Sequence, residues 1–328
     1  MKTFAEVSNC KSHFAYPERI LVATDLTDGE YLIPHIVAQA QISGAHVTLV
    51  HAILPVQSYS IDAGAIPPLD PMLLEEEAYR ELHAMAARIE SHGIPCEVVA
   101  KEGLPANVIQ RQAEITCADR LIMATHGRGK WGQLVLGSVA NQLLGSVQIP
   151  VFAVGPRCQK SESHASPRRI LHPVSMSGNY KSSVRLAVEV ARAYHAELIL
   201  LHIPERDVEQ SIHPGCTLSW AENLAAALIP ETKDTDLQIR VNVAFGNKTE
   251  EIRKEAMRID ADWIVLGVEE GQFTWPLGES TAYKVMAAAT CPVFAVPLNL
   301  QLLEYLKIGE ARTATVIGER YPSQAASL

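Results

Sequence analysis

The sequence predicts an α/β protein in which one domain is written twice, each copy a parallel sheet covered by helices on both faces. Three observations carry this. The chain has 328 residues, enough for about two domains. Blocks from its first half recur in the same order in its second. Short aliphatic runs alternate with amphipathic stretches along both halves. Apolar residues make up 48% of the chain against 20% charged, which rules out disorder as the main state.

The repetition is visible in the numbering. Arg19-Ile20-Leu21-Val22-Ala23-Thr24-Asp25 returns as Arg169-Ile170-Leu171-His172-Pro173-Val174-Ser175, an offset of 150. Val47 to Ala52 returns as Leu198 to Ile203, Asp119 to Ala124 as Asp262 to Gly267, and Pro150 to Val154 as Pro292 to Val296. The offsets drift from 151 to 142 as loops change length, and the order of blocks never changes. A period near 145 exceeds the roughly 20–50 residues of a solenoid repeat, so this is a domain duplication.

In the first copy an aliphatic strand is expected at 20–24, a helix at 30–43 and a strand at 47–53. A Pro/Gly-containing loop then leads to a long helix over about 70–92, with Leu73, Leu74, Leu82, Met85, Ala86 and Ile89 assigned to one face. Residues 95–100 read as a strand, and Pro105 opens a helix to about 117. Strands at 121–124 and 151–154 complete the copy. The continuous aliphatic character of these runs indicates strands buried on both faces, hence a parallel sheet. The second copy repeats the plan at 169–174, 182–195, 197–203, 217–229, 238–244, 248–258, 263–267 and 293–296. The polar stretch Gly155 to Pro167 reads as a linker, and residues 299–328 as a tail with one helical stretch near 299–307.

Composition excludes several classes of partner. With 28 Lys+Arg against 37 Asp+Glu the net charge is −9, which lacks the broad positive field of a nucleic-acid binder and the basic clusters of a membrane-surface protein. An anionic ligand must therefore be held locally. The six cysteines, Cys10, Cys96, Cys117, Cys158, Cys216 and Cys291, form no CxxC pair and read as buried or idle thiols. Without a signal-peptide core or an apolar run of membrane length, a cytoplasmic location is expected.

Ligands of open α/β sheets bind beyond the carboxyl ends of the strands. In the first copy those ends carry Ala23, Thr24 and Asp25, then Ala52, then Met123 and Ala124. From Ala124 the chain runs through Thr125-His126-Gly127-Arg128-Gly129-Lys130-Trp131-Gly132 to Gly137-Ser138-Val139. Glycines between a strand and a helix let backbone N–H groups converge, and Gly137-Ser138 places further donors at a helix N-terminus, a setting suited to phosphate oxygens. Residues 18–156 hold 8 Lys+Arg and 15 Asp+Glu, a net of −7, so the pair Arg128 and Lys130 stands out. A simple turn with Ser138 as a helix cap accounts for the same glycines equally well. Neither a GxxxxGK[ST] P-loop nor a GxGxxG after the first strand is present, which disfavours a dinucleotide site.

These residues resemble the universal stress protein family in its tandem two-domain form. The family's nucleotide motif is G-x2-G-x9-G-[S/T]; Gly127, nine residues and Gly137-Ser138 match it, with Ala124 in place of the first glycine. Ile20 to Asp25 and Val47 to Ile53 are similar to the family's first two strands, and the resemblance spans about 18–156 and 167–298. It implies a five-stranded parallel sheet of Rossmann-like, adenine nucleotide alpha hydrolase-like type, binding ATP in many members. On that reading Asp25 meets the ribose or adenine, and the backbone beside Ala52 faces the adenine. Ala124, Gly127, Gly137, Ser138 and Val139 surround the ribose and phosphates. ATP is the expected ligand, with AMP or ADP as alternatives and Mg²⁺ as an optional companion.

The second copy departs from the pattern. Ser175 replaces Asp25, and Glu269, Glu270 and Glu279 fall on or beside the loop, where carboxylates repel phosphate. Only the first copy is expected to bind ATP.

Other candidates weigh less. The twelve histidines show no metal spacing, and no Ser-His-Asp or Cys-His arrangement is legible. His51 and His202 end equivalent strands, which favours a shared structural role, and His126 reads as a solvent-facing loop residue. Glu75-Glu76-Glu77 reads as a solvated face complementing its helix dipole, and Trp131 either covers a ligand or packs beneath it. With no general base beside the phosphate loop, the leading expectation is a non-enzymatic ATP-binding regulator of the stress response. A slow ATPase or adenylyl- or phosphoryl-transfer enzyme, and a nucleotide-free scaffold, remain the alternatives. Strands 150–154 and 292–296 are expected at sheet edges that need covering, by pairing within the chain or in a homodimer.

Overall fold

The computed structural model of the chain describes residues 14–55, 70–125, 136–158, 166–175, 180–204, 237–268 and 280–298. The expected helices at 217–229 and 299–307 lie outside them.

The first copy runs β1 (Arg19–Ala23), α1 (Gly29–Ser43), β2 (His46–Ile53), α2 (Pro71–Glu90), β3 (Cys96–Glu102), α3 (Pro105–Ile115), β4 (Arg120–Ala124), α4 (Ser138–Ser146) and β5 (Val151–Val154). After a single 3₁₀ turn at Pro156–Cys158, the second copy runs β6 (Arg169–Val174), α5 (Tyr180–Ala193), β7 (Glu197–His202), β8 (Ile239–Val243), α6 (Lys248–Arg258), β9 (Trp263–Val268), α7 (Thr281–Ala288) and β10 (Val293–Pro297). The strands form one ten-stranded sheet in the order β3-β2-β1-β4-β5-β10-β9-β6-β7-β8. Each copy supplies five parallel strands. β5 and β10 pair antiparallel, with Phe152 opposite Phe294. The two strands expected to be covered by pairing within the chain do pair so, which puts them at the centre of the sheet with β3 and β8 as its ends. The carboxyl ends of the two parallel sets point in opposite directions.

Local chemistry explains the helix bounds. Asp70 caps α2 by accepting from the Met72 N–H at 3.0 Å, with Pro71 in the first turn. Gly44 ends α1 in the left-handed region, φ 69°. The equivalent position of the second copy, His195, adopts φ 52° without being glycine. Cys117 (φ 48°) and Asp260 (φ 50°) are a second such pair, so the duplication extends to backbone conformation. It extends to staples too. Asp119 accepts from the N–H groups of Glu18 and Arg19, and Asp262 from those of Arg168 and Arg169.

The expected face of α2 needs one correction. Ala78, Leu82, Met85, Ala86 and Ile89 are buried, while Leu73 is 62% exposed. At about 100° per residue, Leu73 lies on the opposite side of the helix from Leu82.

Each sheet face carries one core that crosses the boundary between copies. On one face the aromatic residues gather at that boundary: Trp263 packs edge-on against Phe152 at 4.8 Å and Tyr194 at 4.5 Å between ring centres. Arg120 enters the same cluster fully buried. Its guanidinium donates to Gln39 Oε1 at 2.7 Å, to the Tyr194 hydroxyl at 3.2 Å and to the Phe14 carbonyl, and lies 4.6 Å from the centre of the Phe294 ring.

Candidate functional site

A cleft of about 740 Å³ opens at the carboxyl ends of β1, β2 and β4, within the usual range for small-molecule sites. Its lining brings together Ala23, Thr24 and Asp25 from the end of β1, Ala52 from β2, Met123 and Ala124 from β4, and Gly137, Ser138 and Val139 from the start of α4. Of the residues singled out in the sequence, Gly127, Arg128 and Lys130 lie outside the described residues, as do His126, Trp131, Glu269, Glu270 and Glu279.

The excursion between β4 and α4 is closed at its base. Thr125 N–H donates to the Val154 carbonyl at 2.9 Å, and Gly137 N–H to the Thr125 carbonyl at 2.8 Å. Gly137 then begins α4 with no side chain to cap it, so the first-turn N–H groups face the cleft with the positive end of the helix dipole.

The turn after β1 shapes the opposite wall. Thr24 Oγ1 donates to the Asp28 carboxylate and accepts from the Leu26 N–H at 2.9 Å. Leu26 takes φ 71°, a left-handed value that costs a branched side chain on the order of 1 kcal/mol. Asp25 Oδ1 accepts from Thr27 N–H at 2.9 Å and Thr27 Oγ1 at 2.6 Å, which fixes its carboxylate at the cleft. His51 Nδ1 lies 2.9 Å from the Thr24 carbonyl, tying β2 to this turn. His202 makes the same contact with the Val174 carbonyl at 2.8 Å, the shared structural role expected of the pair.

Sequence reasoning did not anticipate several lining residues. Leu74, Glu77 and Glu81 come from α2, Pro105 and Ile109 from α3, and Asp28 from the start of α1. Glu77 and Glu81 bracket Arg80 at 3.5 and 3.2 Å, so the expected solvated acidic face also forms the cleft rim. Asp28 is the most perturbed group of the site. Burial, aided by the charge of Asp25 and opposed by the Thr24 hydroxyl, pushes its carboxyl up to about 6.

That shift makes a stability prediction. The folded chain holds the Asp28 proton more tightly than the unfolded chain, whose carboxyl sits at the ordinary 3.8. Its contribution is therefore full below about pH 4 and lost as pH rises through about 6. Asp28→Asn keeps an acceptor for Thr24 without a buried charge. Denaturant titrations should find the variant more stable than the parent at about pH 7.5, by up to about 3 kcal/mol, and the difference gone below pH 4. A parent curve that is flat between these limits contradicts this assignment.

The equivalent region of the second copy is built differently. Ser280 caps α7, its hydroxyl accepting from the Tyr283 N–H at 3.1 Å. Gly267 stands where Ala124 stands, and a Cβ there would meet Ser183 Oγ at 2.6 Å and Leu298 Cδ1 at 3.0 Å. Those side chains close on the end of β9 where the first copy carries the methyl of Ala124. Beneath them His172 is fully buried, Nδ1 donating to the Val265 carbonyl at 2.9 Å and Nε2 accepting from Ser183 Oγ at 3.0 Å. Burial draws its imidazole down to about 4, so the ring is neutral. β6 and β9 pair at Ile170 with Trp263 and at Leu171 with Ile264; beyond them Pro173 has no N–H to give.

Comparison with known proteins agrees with this architecture. The model of the universal stress protein family matches residues 17–155 and again 167–297. A universal stress protein of Mycolicibacterium smegmatis is 26% identical over 294 residues, covering 84% of this chain and 96% of that protein. Universal stress protein MJ0531 of Methanocaldococcus jannaschii is 34% identical over 82 residues, 25% of this chain and about half (48%) of that relative. The crystal structure of a universal stress protein from Archaeoglobus fulgidus superposes with a TM-score of 0.62 at 20% identity, covering 85% of this chain and 96% of that one.

Proposed function

The chain belongs to the universal stress protein family, and from that premise we propose that its first domain binds an adenine nucleotide while its second keeps the fold without a matching phosphate site. The observation that carries the reading is the contrast between the two helix N-termini. α4 has Gly137 as its N-cap, with no side chain to cap it, and its first turn lines the cleft, whereas Ser280 caps α7 with its own hydroxyl. Phosphate oxygens suit the first arrangement and must displace a side chain in the second.

The rest of the cleft fits a nucleoside. Leu74, Ile109 and Met123 offer apolar contact to a base, and Asp25 offers an acceptor to ribose hydroxyls. Ala124 narrows the approach to the phosphates by one methyl relative to the family's glycine, which favours AMP or ADP at least as much as ATP. Among the described residues no group of three or more His, Cys, Asp or Glu side chains is placed to hold a metal. We therefore place any Mg²⁺ on the nucleotide's own phosphates.

We read the protein as a cytoplasmic regulator in which occupancy of the cleft changes what the molecule presents to a partner. The competing reading is an ATPase or a nucleotidyl-transfer enzyme using the same cleft, whose lining also holds Asp25, Asp28, His51, Glu77 and Glu81. Calorimetric titration of the full chain with AMP, ADP and ATP should give one nucleotide per chain. Two per chain, or none with all three ligands, overturns the proposal. Sustained release of phosphate from labelled ATP, lost on alteration of Ser138, would favour the enzyme.

A further inference from the structure

Two cysteines from opposite halves of the chain lie beside the junction of β5 and β10. Cys158 ends the 3₁₀ turn after β5, its N–H donating to the Gly155 carbonyl at 3.0 Å. Cys291 lies two residues before β10. The antiparallel register ends with Val293 against Ala153, and continued two residues beyond the ladder it would bring Cys291 opposite Gly155. Opposed Cα atoms in such a ladder are about 4.5–5.5 Å apart. The Cys158 sulfur folds back over that same glycine: a Cβ on Gly155 would stand 3.7 Å from Cys158 Sγ and 3.9 Å from the Ala289 carbonyl. Gly155 adds no side chain of its own at this point, where Thr125 Oγ1 also lies, 3.5 Å from the same Cβ position.

The surroundings hold this arrangement. Arg157, beside Cys158, donates to the Ala288 carbonyl at 3.1 Å, pinning the turn of the first half to the end of α7 in the second. Both thiols are buried, at 3% and 2% exposure, and neither is in a disulfide. Burial pushes Cys158 up to about 12 and Cys291 well above its ordinary value, and charge on Cys158 raises Cys291 further, as expected of close neighbours. Cys117, by contrast, is exposed.

We propose that Cys158 and Cys291 are an oxidisable pair that forms a disulfide between the two halves of the chain when a hydroperoxide is the oxidant. The Cys158 thiol, as thiolate, attacks one peroxide oxygen: an S–O bond forms, the O–O bond breaks and, for hydrogen peroxide, water leaves. The Cys291 thiol then attacks the sulfenic sulfur, the S–S bond forms, the S–O bond breaks and a second water leaves. Two thiols and one peroxide give one disulfide and two waters, the thiols losing two electrons and the peroxide gaining them. Scarcity of thiolate makes the first step slow, so brief exposure spares the pair and sustained exposure closes it. The loop so closed contains four of the five strands of the second half, β6 to β9. The inference is independent of nucleotide binding.

The test is a peptide map of the full chain after sustained treatment with excess hydrogen peroxide and quenching of remaining thiols. The expected product joins the Cys158 and Cys291 peptides, two hydrogens lighter than their sum, and is cleaved by dithiothreitol. The oxidised protein should melt about 5 °C or more higher than the reduced one, and Cys158→Ser and Cys291→Ser should each remove both effects. Thiols that stay reduced, that oxidise separately to sulfinic acids, or that pair with other cysteines overturn the proposal. The map of the parent protein decides the matter even if a variant folds poorly.

Discussion

Arg120→Ala should lower the unfolding free energy by about 3–5 kcal/mol, read as a fall in denaturant midpoint at constant slope. Arg120 is fully buried and meets no carboxylate among the described residues; amide, phenol and carbonyl oxygens and the Phe294 ring surround it instead. Truncation strands the Gln39 and Phe14 oxygens in a dry setting and leaves a void beside the Phe294 ring. Both terms have the same sign. Arg120→Met separates them, because it refills much of the volume while removing a charge that was costly to desolvate. The methionine variant should recover more than half of the loss. Equal losses in the two variants would show that the hydrogen bonds, not the filling of space, dominate. A loss below about 1 kcal/mol in the alanine variant would mean that water already reaches the guanidinium.

Gly137→Asp should weaken nucleotide binding at least about 100-fold while leaving thermal stability unchanged or slightly raised. Gly137 has φ −59° and ψ 152°, an extended conformation that any residue adopts, so the substitution carries no backbone strain. Aspartate is among the best N-caps, and its carboxylate would accept from the first-turn N–H groups of α4. The donors proposed for phosphate are then occupied by a group of the same charge, which reproduces and exceeds the effect of Ser280 in the second copy. A hundredfold loss corresponds to about 2.7 kcal/mol, within reach of a like charge in a partly dry cleft. Calorimetry and thermal melts on one preparation check both halves. Unchanged affinity would move the phosphates away from α4. A large fall in melting temperature would mean that Gly137 serves the fold.

What could be read from the sequence divides along physical lines. The strands were legible because burial on both faces leaves continuous aliphatic runs, as in Leu121 to Met123 or Leu198 to Leu201, all buried. The cleft was legible along the strand ends and at Gly137-Ser138, where topology alone fixes position. The contributions of α2 and α3 were not. Leu74, Glu81 and Ile109 are ordinary helix residues, and only the packing angle of each helix decides which of them reaches the cleft. Asp28 was missed for a related reason. Three residues after Asp25 it resembles any acidic helix start, and its burial depends on the left-handed turn at Leu26. Pairing of β5 with β10 within the chain was an expected alternative, since each copy leaves that edge bare; its register, Phe152 opposite Phe294, is not encoded in one-dimensional periodicity.

The junction also bears on how copies of such a domain choose one another. Arg120 and Trp263 hold the same place in their respective repeats, as do Phe152 and Phe294. Each residue of the first pair lies against the phenylalanine of the other half, Arg120 at 4.6 Å and Trp263 at 4.8 Å. The contact has the geometry of a twofold dimer and the chemistry of two different molecules. Two first halves joined through β5 would bring two uncompensated guanidinium groups into one dry cluster, where like charges repel strongly. A cation from one half set among the aromatic rings of the other meets no such penalty. The edge of one half thus works as a lock whose key lies on the same chain, and the charge that makes the match also disfavours the duplicate.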